Sequence, residues 1–281
     1  MKKAIILLSG GIDSSTTLYL AKSQGYQPTA LIFDYHQRHK KEIESAKKIA
    51  KSAPSSYKLV KISFPEGGSS LLDPNLSLKS GREKIPFTYV PARNIIFLSY
   101  ALSCAETWGS RAIFIGANQV DYSGYPDCRA SFIAAFNRMV KEGTKSKNIK
   151  VIAPLMKMNK GEIIKLGMKL GVPYHLTWSC YEGKEKPCLK CDSCKFRLKG
   201  FREAGITDPL LFNHRGTENT EKKTTTKSRN IEDTKQRIAT TILSRISRIK
   251  NNIHHRGTKT QKTQSSPRII NKFFLSYSLR L

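Results

Sequence analysis

Along the chain, short runs of aliphatic and β-branched residues alternate with longer segments whose apolar positions recur at helical spacing, up to about residue 153. Ala4 to Leu8, Thr29 to Tyr35, Tyr57 to Ile62, Ala112 to Ala117 and Val151 to Ala153 read as strands. Ser14 to Ser23, Lys40 to Lys51, Arg93 to Trp108, Arg129 to Lys141 and Lys160 to Leu170 read as helices. Near-continuous apolar strands separated by helices predict an α/β fold with a parallel sheet and crossover helices. Asn159 before Lys160, with Glu162 three positions on, has the spacing of a capping box.

The pattern breaks at Ser179, where a loop rich in Gly, Lys, Pro and Cys leads to a short helix ending near Ala204-Gly205. Residues 213–281 form a third stretch, dominated by Thr, Ser, Asn, Lys and Arg. The organisation expected is therefore an α/β part over 1–178, a cysteine-bearing segment with its closing helix over 179–212, and a basic low-complexity tail. The tail's composition predicts disorder. Within it Ile238, Ile242, Ile246, Ile249 and Ile253 have the spacing of a basic amphipathic helix, which keeps an RNA-binding arm or a membrane-surface helix open.

Charge changes this picture little. The net +28 suggests a nucleic-acid binder until its distribution is read: 16 basic against 4 acidic residues lie in the tail, and the remaining 33 and 17 are spread along the chain. Phosphorylated small substrates account for such a balance as well as RNA does. No apolar run approaches the roughly 18 residues of a membrane span, and Ala4 to Leu8 is too short for a signal sequence, so a cytoplasmic location is expected. Four of the six cysteines crowd between positions 180 and 194, a spacing that suits a metal better than a disulfide framework.

The chemistry begins at Ser9-Gly10-Gly11-Ile12-Asp13-Ser14-Ser15, between the first strand and the first helix. Two glycines allow a sharp turn that aims backbone N–H groups at an anion, the hydroxyls add donors, and the helix N-terminus adds partial positive charge. A carboxylate among phosphates calls for a cation, so Asp13 points to Mg²⁺ bound with a polyphosphate. The loop lacks the closing Lys of a P-loop and is not Gly-x-Gly-x-x-Gly. It resembles the Ser-Gly-Gly-x-Asp-Ser loop of the ATP pyrophosphatases, which implies a doubly wound sheet of the adenine-nucleotide α-hydrolase type, ATP as substrate, and adenylation with release of pyrophosphate. On that resemblance the ATP site is expected over Leu8, Ser9, Gly10, Gly11, Ile12, Asp13, Ser14, Ser15, Thr16, Thr17 and Leu18.

Downstream, Asp34-Tyr35-His36-Gln37-Arg38-His39, Val90-Pro91-Ala92-Arg93-Asn94, Gly116-Ala117-Asn118 and the run Asp121 to Arg129 occur in order. With the loop they resemble the 7-cyano-7-deazaguanine synthase family over residues 1 to about 209. The resemblance implies a carbon–nitrogen ligase of queuosine biosynthesis that joins 7-carboxy-7-deazaguanine and ammonia at the expense of ATP. Gln37, Arg38, Arg93, Asn94, Asp121 and Asp127 become expected substrate contacts, although turn chemistry alone also explains the two aspartates. Asp13, Lys160 and Arg93 are the expected catalytic groups, Arg93 because its planar fork suits a carboxylate or phosphate. Membrane and nucleic acid are not required, and a homodimer is the candidate assembly. The chain departs from the family at His36 and Ala92, where Gly is usual; if a positive φ is needed there, His36 would narrow the nucleotide pocket.

Cys180, Cys188, Cys191 and Cys194 are spaced C-x7-C-x2-C-x2-C. Four thiolates close a tetrahedral Zn²⁺ site with no position for water, so one structural zinc per chain is expected, with an iron–sulfur cluster as the competitor. The family's zinc site agrees with all four positions. Cys104 and Cys128 are expected to pack. Two other functions share parts of these features: a tRNA-modifying ATP pyrophosphatase, and a non-enzymatic zinc-containing nucleic-acid module.

Overall fold

A computed structural model of the chain describes residues 2–212 except 39, 66, 68, 74–75, 77–84, 119–123 and 184. The tail over 213–281, with its amphipathic isoleucine segment, lies outside the described residues, as does Asp121. Five strands, β1 (Lys2–Leu7), β2 (Tyr26–Asp34), β3 (Ser56–Lys61), β4 (Ala112–Phe114) and β5 (Lys150–Ile152), form one parallel sheet in the order β3-β2-β1-β4-β5. The helices are α1 (Ile12–Ser23), α2 (Lys41–Ser52), α3 (Arg93–Trp108), α4 (Ala130–Gly143), α5 (Lys160–Lys169), α6 (Asp192–Glu203) and the short α7 (Pro209–Phe212). Strand order reverses at β1, so its carboxyl end, next to that of β4, is where a doubly wound sheet opens a crevice for ligand.

Period-two alternation divides the strands between two cores. Ile5, Leu7, Leu31, Phe33 and Ile113 face one side, under Leu98, Ala101, Leu102 and Ala105 of α3 and Ile133, Phe136 and Val140 of α4. Ala4, Ile6, Ala30, Ile32 and Phe114 face the other, under Leu18 and Ala21 of α1 and Ile43, Ala46 and Ile49 of α2. Both faces are covered, which is why the central strands carry no solvent-facing polar residues in their middles. Leu98 has no exposed surface; truncating it to Ala would cost about 2–5 kcal/mol by lost transfer energy and cavity formation. Pro28 is tolerated inside β2 because β3 begins its pairing only at Thr29, so the missing N–H interrupts no ladder on that side.

The expected elements are present with ends shifted by a few residues. The main shortening is β4, read to Ala117 and ending at Phe114. Beyond it Gly116 lies against the start of α1, where a Cβ would stand 2.8 Å from the Ser14 nitrogen, and the chain leaves the sheet to line the crevice. The capping box of α5 forms as read: the Asn159 side chain accepts from the Glu162 N–H at 2.9 Å and the Glu162 carboxylate accepts from the Asn159 N–H at 2.8 Å.

His36 and Ala92 both adopt left-handed backbone, φ 61° and 55°. The positive φ that glycine would supply is thus required at both departures. His36, however, is exposed and is not among the residues that line the cavity.

Candidate functional site

The loop after β1 is held by its own hydroxyls. Ser9 Oγ and Ser14 Oγ lie 2.9 Å apart, the Ser9 N–H donates to Ser14 Oγ at 3.2 Å, and the Gly11 N–H reaches Ser9 Oγ at 3.4 Å. Gly10, at φ 82°, passes so close to α2 that a Cβ would stand 2.6 Å from the Ala46 nitrogen and the Glu42 oxygen, so only glycine fits on both counts. The Trp178 N–H donates to the Gly10 carbonyl at 2.9 Å, tying the loop to the segment before the cysteines.

Lys160 opens α5 and reaches across to Asp13, its Nζ 2.7 Å from both carboxylate oxygens, with the two side chains 6% and 15% exposed. Glycines at the α5–α6 crossing make this reach possible: a Cβ on Gly200 would run into the Lys160 side chain, and one on Gly161 would press Glu203. A low-dielectric site with a cation, a carboxylate and a helix N-terminus in one place is built for phosphate groups.

A cavity of about 250 Å³ opens here. Of the residues expected to bind ATP, Leu8, Ser9, Gly11, Ile12, Asp13 and Ser14 line it. Gly10, Ser15, Thr16, Thr17 and Leu18 stand behind. Thr16 Oγ1 donates to the Ile12 carbonyl and shares a 2.8 Å bond with Tyr174, Thr17 Oγ1 donates to the Asp13 carbonyl, and Leu18 is core. The Ser15 hydroxyl is buried with no hydrogen-bond partner among the described residues.

The far wall carries Gln37, Arg38, Arg93 and Asn94, four of the residues expected to contact substrate, together with Tyr35, Glu42, Asn118, Tyr125 and Cys128. Gln37 uses its amide locally, accepting from the Tyr35 N–H and donating to the Phe33 carbonyl. Asp127 is not on the wall. Its carboxylate accepts the Asn94 N–H at 3.0 Å and caps α3, whose preceding residue Ala92 is left-handed and supplies no side-chain cap. Arg93 donates to the Tyr35 hydroxyl at 3.3 Å; burial opposes its charge, but the Tyr35, Cys128 and Tyr181 groups around it leave its pKa above the ordinary value. Burial pushes the Cys128 thiol up to about 12, with Asp127 adding to the rise, so at neutral pH it is a thiol and no nucleophile.

Glu42 was read from the sequence only as part of a helix. It lies in the first turn of α2, half-buried on the cavity wall, and its pKa is raised to about 7, by burial first and by the Cys180 thiolate, against the pull of Arg93. An acid in the first turn of a helix has a sufficient local explanation in the macrodipole, which hides any further task.

The four cysteine sulfurs lie within 4.8 Å of one another, and Cys188 Sγ to Cys194 Sγ is 4.0 Å. Tetrahedral Zn–S bonds of 2.3 Å would set sulfurs ~3.8 Å apart, so the donor set fits one metal ion. Leu189 turns left-handed, φ 60°, and aims the Lys190 and Cys191 N–H groups at Cys188 Sγ. Cys180 Sγ accepts the N–H groups of Glu182, Gly183 and Cys188. The Cys191 and Cys194 thiols, with those N–H groups, hold the Cys180 thiol far below its usual range, the form a metal binds. This group can hold a metal. Trp178, Ser179, Tyr181, Ser193, Phe196 and Arg197, from the same segment, form part of the cavity wall. Arg197 anchors it with a buried two-pronged pair to Asp208, at 2.6 and 2.8 Å, and with a 2.8 Å bond to Thr177.

The chain matches the family model described as queuosine biosynthesis protein QueC over residues 3–205. It is 52% identical over 222 residues to the 7-cyano-7-deazaguanine synthase of Acetivibrio thermocellus, covering 76% of this chain and all of that one. It is 49% identical over 219 residues to that of Thermoplasma volcanium, covering 75% and 91%. Among solved structures it resembles the U34-tRNA thiolase NcsA from Methanococcus maripaludis with its [4Fe-4S] cluster at a TM-score of 0.42 and 22% identity, over 76% of this chain and 68% of that one, a likeness too loose to carry an argument about metal or substrate. Among the described residues no helix is long and apolar enough to cross a membrane. On the family model and the identity to its curated relatives, the chain belongs to the queuosine biosynthesis protein QueC family.

Proposed function

We propose that the chain is a 7-cyano-7-deazaguanine synthase, a cytoplasmic carbon–nitrogen ligase that converts 7-carboxy-7-deazaguanine and ammonia to the nitrile with ATP. The observation that carries this reading is the loop Ser9 to Ser14, whose Asp13 pairs with Lys160 at the wall of one cavity, in a chain of this family. The substrate carboxylate attacks the α-phosphorus, pyrophosphate leaves, and ammonia displaces AMP to give the amide. A second adenylation, on the amide oxygen, lets AMP depart again and leaves the nitrile.

The protein's part is placement and charge. The N–H groups at the start of α1, the Ser9 and Ser14 hydroxyls and the Lys160 ammonium receive the polyphosphate, and Arg93 faces the substrate's carboxylate. Asp13 holds Lys160 in position and is no general base. Mg²⁺ arriving with ATP would neutralise charge on the polyphosphate, and Asp13 is the carboxylate that would hold it. Cys180, Cys188, Cys191 and Cys194 would hold Zn²⁺, which would supply structure and fix the wall that contains Tyr181 and Arg197. Residues 1–178 form the ATP pyrophosphatase part and 179–212 the metal-bearing wall; the tail over 213–281 is dispensable. Free ammonia is the nitrogen source.

Incubating purified chain with the deazaguanine acid, ammonium and ATP should yield nitrile, AMP and pyrophosphate, and a chain cut after residue 212 should do the same. ADP and phosphate as the sole nucleotide products would refute the assignment. Elemental analysis should return about one zinc per chain; iron with sulfide in its place would refute the metal.

A further inference from the structure

Among the described residues two carboxylates line the cavity, Asp13 and Glu42, and they are differently engaged. Asp13 is bound by Lys160 at 2.7 Å through both oxygens. The Glu42 carboxylate makes no hydrogen bond or ion pair with the described residues. Its position is nonetheless rigid. Its carbonyl abuts Gly10, the next residue, Ile43, belongs to the core as well as to the cavity wall, and Ala46 one turn on is fully buried against the loop.

A half-buried carboxylate with no donor is costly to keep charged, and a ligand that brings donors relieves it. The ligands of the proposed reaction differ in what they bring. The base edge of ATP sets an amino donor beside a ring-nitrogen acceptor, and the acceptor would face a carboxylate oxygen unfavourably. A guanine-type heterocycle sets a ring N–H beside an exocyclic amino group, two adjacent donors that match the two oxygens of one carboxylate. Arg93, a cation on the same wall, is then left for the carboxylate at the substrate's other end.

We infer that Glu42 is the specificity-determining residue for the base, its two oxygens accepting the ring N–H and the exocyclic amino group of the deazaguanine. This rests on the proposed function. It assigns to α2 the task of reading the heterocycle, and to α1 and α5 that of holding the polyphosphate.

The test is steady-state kinetics of the full chain with 7-carboxy-7-deazaguanine and with its analogue lacking the exocyclic amino group. Glu42→Gln turns one acceptor into a donor, and a bidentate contact of this kind discriminates by about 1–3 kcal/mol, or ~5–150-fold. The KM for the deazaguanine acid should rise by about that factor, the KM for ATP should stay, and the wild-type preference for the amino-bearing base should fall towards none. Glu42→Asp, which keeps both acceptors, should bind the acid more weakly yet retain the preference. An undiminished preference in Glu42→Gln, or a rise in the KM for ATP in its place, as a carboxylate on the ribose hydroxyls would give, overturns the inference. So does loss of preference in Glu42→Asp should Glu42→Gln fail to fold. A wild-type chain that turns over neither acid overturns the proposed function together with this inference, whereas wild-type turnover with an unaltered preference in Glu42→Gln overturns this inference alone.

Discussion

Replacing His36 with glycine should stabilise the protein without touching its chemistry. At φ 61° an L-residue carries the clash of Cβ with backbone that glycine lacks, about 1–2 kcal/mol. Glycine gives back about 0.5–1 kcal/mol because the unfolded chain gains freedom. Nothing else is lost. The side chain is exposed, it is absent from the cavity wall, and the one local bond, from the residue-36 N–H to Asp34 Oδ1 at 3.3 Å, uses the backbone. The net gain is ~0.5–1 kcal/mol, which for a folded region of this size raises Tm by ~1–4 °C. Thermal and urea unfolding at matched metal content measure it, with Ala101→Gly as the opposite control. Ala101 lies fully buried in the middle of α3, where glycine costs about 1 kcal/mol from propensity alone before any lost packing. If Ala101→Gly destabilises as expected while His36→Gly gains nothing or loses, strain at position 36 is not stored in the native state. The KM for ATP should be unchanged, since the imidazole does not reach the site.

Lys160→Met removes the cation beside the loop and leaves Asp13 part-buried and unpaired; turnover should drop by about 10²–10³ and stability by about 1–3 kcal/mol, read from steady-state rates and urea midpoints. Gly200→Ala, which in a free helix would be favourable, should instead cost about 1–3 kcal/mol and impair turnover, because the new methyl meets the Lys160 stem; an increase in stability would contradict the crossing geometry. Cys188→Ser, or a strong chelator, should remove the metal and lower both Tm and activity together, since the cysteine segment walls the cavity; loss of metal with full activity would separate the two. Arg197→Met strands Asp208 at 3% exposure and should cost about 3–5 kcal/mol in urea unfolding.

The period-two and helical-period runs by themselves determined the five parallel strands and their helices, because the central strands must bury both faces and each helix one. Local rules likewise fixed the capping box at Asn159 and Glu162, whose partners lie within four residues. The cysteine quartet was legible from spacing, and the loop from its Gly-Gly-x-Asp composition between strand and helix. At positions 36 and 92, where the family usually carries Gly, a positive φ was only a condition in the sequence, and the backbone adopts it at both.

What only the tertiary structure decided involves partners far apart in the chain. Lys160 meets Asp13 across 147 positions because two glycines let α5 and α6 cross closely. Asp127, expected to contact substrate, caps α3 from 33 positions away and does not line the cavity. Thr16, Thr17 and Leu18 follow the loop in sequence but turn away from the cavity, since a helix that begins at Ile12 shows it only its first turn. Glu42 reads as an ordinary helix-start acid, and only the packing of α2 against Gly10 puts it on the cavity wall. Sequence records which groups are available and their local conformation; which of them share a cavity is set by long-range packing, which no local pattern encodes.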